Sequence, residues 1–149
     1  MIYSAAPLFS EAELTFSASL TADLEAAGHE VFLPQRDRVE AGKSSYSTMS
    51  SEARRRATFG LDRGRIIACD VFLMVLDGRV PDEGACVELG LAYGHRLATA
   101  GERLIIGLQT DCRAAFLGSK LNPMLFGALD VVVGDRDALL EALAARLSP

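Results

Sequence analysis

Residues 71–76 read VFLMVL, six apolar side chains in a row with none of the alternation that a half-exposed strand shows. A run this short and continuous is a strand covered on both faces, the signature of a parallel sheet between two helical layers. Four more short runs repeat the pattern: residues 1–5, HEVFL (29–33), RLIIGL (103–108) and LDVVV (129–133). The intervening segments carry helical period. Ser10 with Glu13 is a capping box opening a helix that runs to about Ala27, and Gly28 is placed to end it. Residues 51–68 form a second helix, GACVELGLAYGHRLA a third with Ala85, Leu89 and Ala92 inward, and DRDALLEALAARL the last. Strand and helix alternating in this way predict one doubly wound α/β domain over 1–149. Its five-stranded parallel sheet takes the flavodoxin-like (Rossmann-like) order 2-1-3-4-5.

Composition narrows the partners. With half of 149 residues hydrophobic the chain can bury one substantial core. A net charge of -5 without a clustered basic face argues against nucleic acid and anionic membrane as partners and favours a small neutral or cationic ligand. The basic run Arg54 to Arg56 reads as a wet helix face. Three cysteines without CxxC spacing and two histidines support neither a disulfide framework nor a zinc site. We therefore expect no metal and a reducing, cytoplasmic setting, and no apolar stretch approaches membrane-spanning length.

In an open parallel sheet ligands bind beyond the carboxyl ends of the strands. The loops to inspect follow Tyr3, Leu33, Leu76 and Leu108. The third reads LDGRVPDEGACVELG and carries Asp77, Asp82, Glu83 and Glu88. Glu88 is expected about one turn into the following helix, where the helix dipole favours a carboxylate. Gly84 is expected to let the backbone turn and bring Asp82 and Glu88 to one pocket. Such a pair suits glycosidic chemistry, in which one carboxylate attacks or stabilises a cationic sugar carbon and a second group handles the leaving group's proton. Gln35, Asp77 and Asp111 stand at strand ends and are candidates to line the pocket. Cys86 reads as a small core hydrophobe, and the serine-rich loop 42–51 as a candidate lid.

The segments MIYSAAPLF, LDRGRIIACD, LDGRVPDEGACVELGLAYG and LNPM together resemble the nucleoside 2-deoxyribosyltransferases. The resemblance spans residues 1 to about 126, and DxGxxxELG is its most specific part. It implies a retaining transfer of 2-deoxyribose between nucleobases through a covalent glycosyl-enzyme, with deoxynucleosides and free nucleobases as partners and no cofactor. By the same resemblance Glu88 is the nucleophile, Tyr3 orients it, and Asp62 and Asp82 bind the base and assist its protonation. Asn122 and Met124 come from a neighbouring subunit, which implies a homo-oligomer of at least a dimer.

Hydrolysis of the N-glycosidic bond of 2′-deoxynucleosides or their 5′-monophosphates is the alternative: relatives of these transferases hydrolyse 2′-deoxynucleoside 5′-monophosphates or related pyrimidine nucleotides, and they tend to carry serines where this chain has Asp82 and Asn122. Asp82 would repel a phosphate, which favours an unphosphorylated nucleoside. Ser119 and Lys120 keep the nucleotide hydrolase as an alternative. A non-catalytic ligand-sensing domain on the same fold is a third reading.

Overall fold

In a computed structural model, residues 1–37, 46–78, 80–111 and 121–147 are described. Five parallel strands, β1 (Ile2–Ala5), β2 (Val31–Phe32), β3 (Val71–Val75), β4 (Leu104–Leu108) and β5 (Val131–Val133), form one sheet in the order β2-β1-β3-β4-β5. This is the winding the sequence predicts. β2 is reduced to two residues because Pro34, which has no N–H for a ladder, opens the short helix α2 (Pro34–Asp37). The other helices are α1 (Glu11–Ala26), α3 (Ser51–Ala68), α4 (Glu83–Thr99), α5 (Pro123–Ala128) and α6 (Arg136–Leu147).

The predicted caps are formed. Ser10 accepts from the Glu13 N–H at 3.2 Å while Glu13 accepts from the Ser10 N–H at 2.7 Å, and Gly28 follows α1 at a φ of 90°. α1 and α6 cover one face of the sheet, where Leu20, Leu24, Leu139 and Leu143 pack on Ile2, Leu73, Ile106 and Leu108. α3, α4 and α5 cover the other. There Ile66, Ala85, Leu89 and Ala92 meet Tyr3, Phe72, Met74 and Ile105, with Leu125 and Ala128 alongside. The three helix residues expected inward, Ala85, Leu89 and Ala92, are all buried. β5 departs from its reading as a core strand. It is an edge strand, so Val131 and Val132 are exposed and only Val133 is buried.

Arg103 ties the carboxyl end of α3 to the middle of α4. Its guanidinium donates to the carbonyls of Cys69 at 2.9 Å, Ala92 at 3.1 Å and Ile67 at 2.5 Å. These carbonyls belong to the end of α3 and the middle of α4, so one buried side chain fixes the helix pair that bears Asp62 and Glu88.

Candidate active site

α4 begins at the carboxyl edge of the sheet, and its buried stripe of Ala85, Leu89 and Ala92 lies on the layer containing Tyr3. Glu88 is next to that stripe, half-buried, and points at β1. The Tyr3 hydroxyl donates to Glu88 Oε1 at 2.9 Å, joining residues 85 positions apart. Tyr3 is fully buried and belongs to the sheet interior, with strand on either side. A phenolic hydrogen bond of this length orients the carboxylate that accepts it. Glu88 is the sixth residue of α4 and so lies past the first turn, deeper than the sequence suggests. The helix dipole is strongest in that first turn, so the phenol contributes more to placing this charge.

The two aspartates reach the same helix pair by different routes. Asp62 shares the inward face of α3 with Ile66 and is only 6% exposed. Asp82 is the N-cap of α4, its Oδ1 accepting from the Ala85 N–H at 2.8 Å. Gly84 is not the turn that the sequence places there: it lies within the first turn of α4, and a Cβ on it would stand 3.1 Å from Asp82 Oδ1. Its missing side chain leaves room for the capping carboxylate. The sharp bend of this loop falls instead at Gly78, with a φ of 120°.

Asp77 is a latch. Its carboxylate accepts from the N–H groups of Thr110 and Asp111 at 2.6 and 2.9 Å and from the Thr110 hydroxyl at 2.5 Å, tying the loop after β3 to the loop after β4. Asp111 accepts in turn from the Gly78 N–H at 3.3 Å. These residues border a hollow of about 560 Å³ beneath α1 that neither Tyr3 nor Glu88 lines. Thr110 and Gly78 were not singled out in the sequence, because their partner lies about thirty residues away in the chain and no local pattern marks the pairing. Gln35, in α2, is half-buried, and its Oε1 has no hydrogen-bond partner among the described residues.

Asn122 is the N-cap of α5, accepting from the Met124 N–H at 2.8 Å. Met124 is 81% exposed and so is not a core methionine. Of the lid segment 42–51, residues 42–45 lie outside the described residues, as do Ser119, Lys120 and Cys112. Cys86 is a poor nucleophile: burial first, then the charges of Asp82 and Glu83, push its thiol above the ordinary range and keep it protonated. Arg55 and Arg56 are exposed, Arg56 pairing with Glu52 along α3 at 2.8 Å. Among the described residues, no three His, Cys, Asp or Glu side chains gather as a metal site, and no helix is long and apolar enough to cross a membrane.

A glutamate bonded to a buried tyrosine, on a helix capped by an aspartate, is compatible with several chemistries. The sequence profile of the nucleoside 2-deoxyribosyltransferases matches residues 2–139. The chain belongs to that family. A conserved protein from Enterococcus faecalis V583 is similar in structure, with a TM-score of 0.74 and 27% identity over 97% of each chain. A 2-deoxyribosyltransferase from the psychrotolerant bacterium Bacillus psychrosaccharolyticus gives a TM-score of 0.70 at 22% identity, over 93% of this chain and 89% of the other. A CMP N-glycosidase from Clostridium botulinum gives 0.56 at 19% identity, over 97% and 99%. At those identities the last two share the fold. No curated protein matches the sequence. Within a nucleoside 2-deoxyribosyltransferase fold, Glu88 lies in the helix that follows the central strand and bonds to β1, the strand from which the winding of the sheet reverses.

Proposed function

We propose that this protein transfers 2-deoxyribose between nucleobases, with Glu88 as the nucleophile, acting on unphosphorylated deoxynucleosides. The observation that carries this reading is the hydrogen bond from the buried Tyr3 hydroxyl to Glu88 Oε1. It orients the Glu88 carboxylate, and in this reading a carboxylate oxygen attacks C1′ of the sugar. In the first half-reaction the bond from C1′ to the base nitrogen breaks as the Glu88 ester forms, and the departing base takes up a proton. In the second, a nitrogen of the incoming base attacks C1′, loses its proton and releases the carboxylate. A sugar without a 2′-hydroxyl lacks an electron-withdrawing neighbour to the anomeric carbon, so its oxocarbenium-like transition state is within reach of a carboxylate and requires no cofactor.

Asp82 and Asp62 bind the base and carry its proton in this reading. Asp82 spends one oxygen on its helix cap and has the second for the base. The unpartnered Gln35 oxygen is a further acceptor for a base N–H, and Asp77 with Gly84 shapes the loop. A negative Asp82 opposes a 5′-phosphate through like charge. Asn122 and Met124 complete the site of a second copy in this reading: Asn122 caps α5 and Met124 lies in its first turn, and the helix exposes Met124 and Phe126.

The test is incubation with 2′-deoxyinosine and adenine, with products separated by chromatography. Deoxyadenosine and hypoxanthine are the expected products. Free deoxyribose without deoxyadenosine would make the protein a hydrolase, and absence of turnover would remove the reading. Glu88→Ala is expected to abolish deoxyadenosine formation with the fold intact by circular dichroism.

A further inference from the structure

Tyr3 does not stand alone in its layer. The parallel register places Tyr3 opposite Phe32 of β2 and Phe72 of β3, and the three side chains point to the same face. The Tyr3 ring is stacked on both sides: its centroid is 5.5 Å from that of Phe32 at 19° between planes, and 5.7 Å from that of Phe72 at 7°. The Arg65 guanidinium caps the outer end, 5.5 Å above Phe32.

We infer that Phe32 and Phe72 are positioning residues for the nucleophile, acting through the ring plane of Tyr3. The inference rests on the role proposed for Glu88. A phenol oxygen lies on the axis about which the ring turns, so rotation of the ring leaves the oxygen in place. The hydroxyl proton behaves differently, because conjugation keeps the O–H bond in the plane of the ring. The plane of the ring therefore decides where the proton points. For tyrosine this torsion is intrinsically soft, and the neighbours must set it. Two offset-stacked faces do so. With the proton aimed at Glu88 Oε1, the carboxylate is held in one orientation; a ring free to turn swings the proton away and loosens that hold.

A double-mutant cycle tests this. In Phe72→Leu, kcat for deoxyribosyl transfer is expected to fall about tenfold with KM little changed. In a Tyr3→Phe background, which keeps the stack and removes the hydroxyl, Phe72→Leu is expected to cause no further loss of kcat, while lowering Tm in both backgrounds. An equal loss of kcat in both would overturn the inference and reduce Phe72 to general packing. Phe32→Leu, at the less enclosed end of the stack, repeats the cycle should Phe72→Leu fold poorly. A second readout is independent of turnover. In protein labelled with ¹³C at tyrosine Cζ, the Tyr3 signal, assigned by its loss in Tyr3→Phe, is expected to move on Glu88→Gln. That response should disappear in the Phe72→Leu and Phe32→Leu backgrounds. A response retained there sinks the ladder. A response lost in a protein that turns over no deoxynucleoside upholds the ladder and refutes the proposed function.

Discussion

At Gly107 a methyl group would stand 2.7 Å from Leu76 Cδ1 and 2.9 Å from Leu129 Cδ1, so the middle of β4 has room for hydrogen only. The two leucines fill the space that a side chain would take, and Leu129 is the residue on which α5 ends. Gly107→Ala is expected to destabilise the protein by about 1–3 kcal/mol through overpacking, read as a lowered urea midpoint with unchanged slope. Nothing in RLIIGL announces this, since the requirement comes from leucines 31 and 22 positions away. Residues with a local signature were legible: Ser10 and Glu13 form their box, and Ala85, Leu89 and Ala92 recur at helical spacing. The candidate site falls between these cases. Motif resemblance singled out Tyr3, Asp62, Asp82 and Glu88. The ring stack around Tyr3 and the latch at Asp77 need the strand register, which exists only in the folded sheet.

Elements were readable where hydrophobic period ran long enough and capping residues marked the ends. α3 begins behind the Ser50 cap, and β3 is the apolar run itself. α2 and α5 escaped because four and six residues are too short for a period, and their starts are prolines that read as breaks. In fact Pro34 and Pro123 each occupy the first helical position, where a missing N–H costs nothing. The largest miss at this scale is Arg103, read as the polar start of a strand. It is 9% exposed, and its planar fork satisfies carbonyls of two helices that the chain joins only through β3. Arg103→Met is expected to cost about 3 kcal/mol, because the Cys69 and Ile67 carbonyls at the end of α3 would lose a charged donor that no helical N–H replaces. Arg103→Lys should recover little of it, since an ammonium cannot reproduce the fork. Thermal denaturation of both variants checks the pair, and a Lys variant as stable as the parent would show that charge alone suffices.

Over the whole molecule, several large apolar side chains remain on the outside. Val87 and Leu97 lie along the outer face of α4, and Met124 and Phe126 along that of α5, while the two helices pack together near the candidate site. The sequence pattern could give the layers and their winding, because each strand's burial depends on its own chain, but not which apolar side chains stay exposed on α4 and α5. If Asn122 of one copy serves Glu88 of another, a two-fold dimer has two composite sites. In a dimer of one Glu88→Ala and one Asn122→Ala chain, one site has lost both residues and the other has kept both. Equal mixing with full exchange makes half of the dimers hybrid, so about a quarter of the parent's activity should return from two inactive proteins. The mixture is assayed after a cycle of mild dissociation and reassembly, with each variant alone as control. Activity that stays at the level of the separate variants, in a mixture shown to contain hybrids by mass spectrometry of a tagged chain, would place Asn122 in the same copy as the Glu88 it serves.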